Sequence, residues 1–264
     1  MGDDQNEPVP PDDRLTAPPP PGGVPARRGR TGLGLVAVFF AAQVTMLLAS
    51  VAVLLTSTGA DPARLEDGRL LALLTVPISL AGLVAVLGAA WLGGGPKAGR
   101  ARRELAFRWH GRDAAIGLGF GVGGLVIALP AAALWAAWVG SEQASSAVGD
   151  AFTGRDLAPT AAVVAFLAVF LLAPIGEELL FRGVLWRALE HWGWNRWVVF
   201  AVTSLAFSVA HLELLRTPLL LVLSIPIGLA RLITGNLLAS VIAHQVNNFL
   251  PAIALLLATT GALP

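Results

Sequence analysis

Past a polar N-terminal stretch, the chain alternates between long apolar runs and short polar breaks. Runs near 33–56, 70–93, 114–139, 160–182, 196–212, 217–234 and 236–260 are apolar on all sides rather than on alternate positions. A helix needs about 20 residues to cross a hydrocarbon layer of ~30 Å. Backbone in lipid must also satisfy its hydrogen bonds internally, which a helix does and an isolated strand does not. The pattern therefore predicts an all-α, polytopic membrane bundle of about seven spans, of which the fifth and sixth are the shortest.

Residues 1–30 break the pattern. Asp3, Asp4, Glu7, Asp12 and Asp13 precede Arg27, Arg28 and Arg30, with Pro18-Pro19-Pro20-Pro21 and Gly22-Gly23 between. Such a segment buries too little to hold a fold, and a disordered tail is expected. The apolar stretch after it is too long for a secretory leader. Three parts result: the tail over 1–30, three membrane helices over 31–158, and a C-terminal membrane core over 159–264.

Composition agrees. Hydrophobic residues make up 55% of the 264 and charged residues 13%, about half the charge of a soluble domain. Mean hydropathy is +0.71. A net charge of +1 gives no reason to expect a nucleic-acid partner. With no cysteine there is no disulfide, no thiolate nucleophile and no cysteine-held zinc. All the cations but Lys97 are arginine, a bias that fits a GC-rich bacterial genome and hence the inner membrane of a bacterial cell.

Charge in the breaks orients the bundle. Residues 94–113 hold Lys97, Arg100, Arg102, Arg103, Arg108 and Arg112 against Glu104 and Asp113. The positive-inside bias makes this loop, and with it the N-terminus, cytoplasmic. The break at 140–158 then lies outside and 183–195 inside. Trp186, Trp192, Trp194 and Trp197 are expected at one interface and Trp135 and Trp138 at the other. Gly119, Gly121 and Gly124 match G-x-G-x-x-G, but no strand precedes them. Together with Gly117 and Gly123 they read as a surface for close helix approach, not for a nucleotide.

Against so apolar a background, ionisable residues are informative, because each at a helix centre costs roughly 2.5–3.5 kcal/mol to insert. Glu177, Glu178 and Arg182 occupy the end of one run. Glu178 and Arg182 are four apart and share a face, so they are expected to pair. Glu177 is turned about 100° away and is left free. Pro174 removes a backbone hydrogen bond just before the glutamates and is expected to kink the helix. Phe207 and His211, and His244 and Asn248, are two further pairs spaced by four. His110 and His191 fall in polar breaks and are expected to be solvated or interfacial. A carboxylate and an imidazole can activate a water, and a second imidazole with an amide can stabilise the oxyanion of an attacked carbonyl.

Glu177-Glu178-x-x-x-Arg182, Phe207-x-x-x-His211 and His244-x-x-x-Asn248, in that order on successive helices, resemble the three motifs of the CAAX protease and bacteriocin-processing (CPBP, or Abi) family. That family includes the type II CAAX prenyl endopeptidases, and its members often have eight helices. The resemblance covers about 160–260 and implies an intramembrane glutamic endopeptidase. It implies Glu177 as the base, with His211 helping to hold the water. It further implies that His244 and Asn248 stabilise the intermediate, while Glu178, Arg182 and Phe207 order the site. Its implied partners are a membrane-associated peptide or protein substrate, prenylated in the eukaryotic relatives, and the bilayer itself.

Depth sets a condition on this arrangement. His211 lies ~22 Å along its helix from the inner side at 1.5 Å per residue, whereas a fourth span of 160–182 would leave Glu177 near the inner end. The two meet if that helix continues through Val184–Leu189, which contains no breaker. A site opening toward the cytoplasmic half is then expected. Three other readings stand beside the peptidase. The same residues could hold zinc, although H-E-x-x-H is absent and no cofactor is demanded. A proton-coupled transporter would use them as a relay, but no inverted repeat is visible. A non-catalytic immunity or scaffold protein would use the fold alone.

Overall fold

The structure, a computed structural model, describes residues 23–56, 65–93 and 98–262. Its helices are α1 (Gly23–Leu55), α2 (Asp67–Leu92), α3 (Ala98–Glu104), α4 (Gly111–Val139), α5 (Ser141–Ala144), α6 (Ala147–Phe152), α7 (Pro159–His191), α8 (Arg196–Ala210), α9 (Thr217–Thr234) and α10 (Leu237–Thr259). No strand occurs among the described residues. Six helices are long and apolar enough to cross a membrane, and α8 is apolar but has only 15 residues. The chain is an all-α, polytopic membrane bundle, with a helix at each of the seven runs.

Two boundaries differ from the sequence expectation. Helix α1 begins at Gly23, so residues 23–30 are helical rather than part of a tail; residues 1–22 lie outside the described residues. Helix α7 runs to His191, past the end expected at 182 and through the segment that depth required. With no proline or loop-forming cluster between Gly183 and His191, nothing in that stretch stops it.

Packing follows side-chain size. Helices α1 and α2 close on each other where Val38 sits over Gly88, whose added Cβ would meet it at 2.5 Å. Helix α4 lies on α10 through Gly117 and Gly121, where a Cβ would strike the Ala239 carbonyl and Val246 at 2.5 Å. Gly119 and Gly123 face open space on the other side of α4. The G-x-G-x-x-G match therefore contains packing glycines and a free one, as close helix approach requires.

At the end of the bundle that carries α3, buried Asn236 fixes the start of α10. Its Oδ1 accepts from Leu238 N and Arg108 N, and its Nδ2 donates to the Arg108 carbonyl and to Asp113. Beside it, Glu104 meets His191 Nε2 at 2.6 Å, and Arg187 Nε donates to the Glu104 carbonyl. His191 is thus half-buried and partnered, not solvated, because α7 carries it down onto α3. Trp186 is packed inside the protein rather than on its surface. It is 2% exposed, its Nε1 donates to Glu190 and Arg231 lies over its ring at 5.3 Å. Trp192, Trp194, Trp197 and Trp138 are exposed. At the opposite end, Leu157 N donates to the Thr259 carbonyl and Ala147 N to Glu213.

Candidate active site

The first motif sits on α7 between two π-helical segments, Ala168–Leu172 and Leu179–Leu185. Pro174 accounts for the outer one. It has no N–H to donate, and Ala173 N reaches back five residues to the Ala168 carbonyl. The Val169 carbonyl would take its bond from Ala173 in an α-helix and from Pro174 in a π-helix, so neither supplies one. Asn248 Nδ2 donates to it instead, at 3.2 Å. The kink expected at Pro174 thus takes the form of a π turn, a common mark of functional sites. The carbonyl it frees is what Asn248 holds.

Glu178 and Arg182 are both 0% exposed, and Arg182 Nη1 donates to Glu178 Oε1 at 3.0 Å. The expected pair is present. Burying two charges calls for partners beyond the pair itself; each has one, while Glu178 Oε2 and Arg182 Nε are left without a hydrogen bond. Arg182 Nη2 points to the Ser224 carbonyl at 3.5 Å, and its guanidinium lies 4.6 Å over the Phe207 ring. Glu178 Oε1 also receives His244 Nδ1 at 3.0 Å.

That last contact decides the chemistry available to His244. A carboxylate already paired with arginine acts as an acceptor, so Nδ1 carries the proton and the ring is held in one orientation. Nε2 then faces Glu177 Oε2 at 3.6 Å. The Glu177 side chain is 23% exposed, where Glu178 is sealed. Adjacent in sequence, the two carboxylates occupy different environments, as their angular separation suggested.

Phe207 gathers the motifs. Its ring centroid is 4.8 Å from that of His211 and 5.5 Å from that of His244, in addition to its contact with Arg182. His211 caps the end of α8, and its Nδ1 donates to the Phe207 carbonyl at 2.8 Å. This assigns the free lone pair to Nε2.

Of the two imidazoles, His244 is the one in direct reach of Glu177; His211 ends α8 with its ring tied back to the Phe207 carbonyl. Asn248 Nδ2 donates one N–H to the Val169 carbonyl and carries a second. Among the described residues no three His, Asp or Glu side chains converge as a metal-ion site would require.

Arg231 is a member of the site that the motif analysis passed over. It is 1% exposed, and its Nε donates to the Arg182 carbonyl at 3.1 Å, so it braces the second π segment from α9. The signal was available, because an arginine inside an apolar run of membrane length is costly unless it has a function.

Comparison with known proteins covers this part of the chain. Residues 159–250 match the family model described as type II CAAX prenyl endopeptidase Rce1-like. An "Uncharacterized 24.3 kDa protein" of Escherichia coli is 33% identical over 87 residues, which are 31% of this chain and 40% of that relative. No solved structure matches. The matched segment takes in every residue of the three motifs, and through it the chain is similar to the type II CAAX prenyl endopeptidases, in keeping with a CPBP-family membrane protein.

Proposed function

We propose that this protein is an intramembrane endopeptidase that hydrolyses a peptide bond of a membrane-associated peptide or protein. The observation that carries the reading is the buried relay Arg182–Glu178–His244, which ends 3.6 Å from the partly exposed Glu177. A hydrophobic interior has no use for a carboxylate–imidazole–carboxylate series unless it manages protons.

In this reading Glu177 takes a proton from water as the water oxygen bonds to the scissile carbonyl carbon. The carbonyl oxygen becomes an oxyanion, which the free N–H of Asn248 stabilises. His244, held by Glu178, shares the proton gained at Glu177. Its return to the amide nitrogen allows the C–N bond to break. His211, whose Nε2 keeps its lone pair free, helps to hold that water. The bilayer is the working environment, and an inner-membrane setting in a bacterial cell fits the composition.

The experiment is cleavage of lipidated and unlipidated peptides by the purified protein in proteoliposomes. Turnover abolished by Glu177→Gln and insensitive to chelators supports the reading. Turnover lost to chelators returns the same residues to the zinc alternative. A well-folded Glu177→Gln variant with wild-type turnover defeats the assignment.

A further inference from the structure

Each π segment of α7 leaves a carbonyl without a partner in its own helix. At the outer segment that carbonyl belongs to Val169, and Asn248 takes it. The inner segment, Leu179–Leu185, ends in the same way. Trp186 N is shared between the carbonyls of Phe181, five residues back, and Gly183, three back, and it passes over the carbonyl of Arg182 between them. From Trp186 the helix is α again, so the next amide, that of Arg187, looks four residues back to Gly183. The Arg182 carbonyl is left over. Arg231 Nε of α9 donates to it at 3.1 Å.

The extra residue of a π segment cannot vanish while the chain keeps its length, but the unpaired carbonyl can move. If Trp186 N turned to Arg182 and Leu185 N to Phe181, both in α fashion, the orphan would pass to Leu180 and on toward Glu178. Each step divides the added rotation, about 100° in all, differently among the residues of the segment. Glu178 stands at its start and Arg182 within it. The place where the orphan rests therefore sets how these two side chains are turned.

Arg231 offers a donor at one place only. It is 1% exposed, and its guanidinium is held over the Trp186 ring at 5.3 Å. Helix α9 is tied to the same residue a second time, because Arg182 Nη2 points to the Ser224 carbonyl, two turns before Arg231. We infer that Arg231 is a positioning residue of the peptidase site. By holding the Arg182 carbonyl it pins the inner π segment in one register, and so keeps Glu178 turned to His244 and that imidazole set against Glu177. It acts through the backbone of Arg182, and the inference rests on the peptidase reading.

The bond uses Nε and not the charge, which gives the test. Glutamine carries its amide nitrogen the same number of bonds from Cα as arginine carries Nε. Methionine has a methyl group there, and lysine keeps the charge but sets its ammonium one bond further out. The three variants are compared in proteoliposomes at a temperature where each is folded, with kcat and KM measured separately. Arg231→Met should lower kcat by about 10²-fold, the scale of a small misplacement of reacting groups, and leave KM nearly as it was. Arg231→Gln should recover most of that loss, and Arg231→Lys should not. If Arg231→Met fails to fold, glutamine against lysine makes the same comparison. Equal kcat in the glutamine and lysine variants, or a better lysine variant, overturns the inference. A second readout needs no turnover: the ring-nitrogen resonances of labelled histidine, with His244 assigned by its replacement. The proton-bearing Nδ1 signal of His244 should shift in Arg231→Met, or in Arg231→Lys if the former does not fold, and return in Arg231→Gln. A signal that stays in place overturns the inference. Wild-type protein that cleaves no peptide defeats the peptidase reading instead, and the His244 signal then decides on the pinning by itself.

Discussion

Helices α1 and α2 and the group formed by α7 to α10 sit in the same apolar medium and both return hydroxyls to their own backbone, but the second group adds polar bonds between helices. In α1 and α2, the hydroxyls of Thr45, Ser50, Thr75 and Ser79 each donate to a carbonyl four residues back in their own helix. Contact between those two helices is a matter of shape, Val38 over Gly88. In the other group Thr203, Ser208 and Thr234 do the same, but further polar bonds cross between helices: His244 to Glu178, Asn248 to Val169, Arg182 to Ser224, Arg231 to the Arg182 carbonyl. A bond returned to its own helix leaves depth and rotation to packing. A bond across helices fixes both. The difference separates the part of the molecule that anchors from the part that must hold atoms in register.

The largest way to sharpen this contrast is at Glu177. Glu177→Gln keeps shape and removes basicity, and should lower kcat by about 10²–10⁴ with the fold retained. Peptide turnover in proteoliposomes, with melting in detergent as the control, checks both halves of that statement. Glu178→Gln should act the other way round, costing about 3–5 kcal/mol of stability because Arg182 is left charged and enclosed. Melting at the wild-type temperature would show that the pair does not hold the helices.

Asn248 combines the two effects. Asn248→Ala should reduce kcat by about 10²–10³ through the lost oxyanion donor and cost about 1–3 kcal/mol through the stranded Val169 carbonyl. Adding Pro174→Ala returns an N–H that can serve that carbonyl, so the double variant should regain stability without regaining turnover. Recovery of both would show that Asn248 acts only on the backbone. Smallest of all, Thr45→Val should change stability by less than about 0.5 kcal/mol and leave turnover alone. A large loss there would erase the distinction between the two groups of helices.

Much of this was legible because the bilayer simplifies the code. Seven apolar runs became seven helices, and spacing by four gave the Glu178–Arg182 pair and the Phe207–His211 contact directly. Rules that work within one helix carried that far. They could not say which imidazole meets Glu177, since that depends on where α8 ends and on the rotation of α10 about its axis. Trp186 and His191 are less open than their types suggest for a related reason. Both types favour interfaces, but the length of α7 carries them into contact with α9 and α3. Arg231 was visible as a charge in an apolar run and became meaningful only once α9 lay against the carbonyl of Arg182.

The outer π segment of α7 can also be considered as a matter of helical phase. A π turn accommodates one residue more than the α-turn it replaces, and in a helix of 3.6 residues per turn one residue is about 100° of rotation. The arm from Pro159 to Leu167 is therefore set at a different angle from the glutamates than an uninterrupted helix would give. Removing a single residue between Ala168 and Leu172 would leave every motif side chain in the sequence intact. It would nonetheless turn one arm of α7 against the other by roughly a quarter of a circle, so that the buried face of Ala162 and Ala165 and the carboxylate of Glu177 could not both be seated. In this helix the length of an unremarkable apolar stretch is as much a part of the site as its charges.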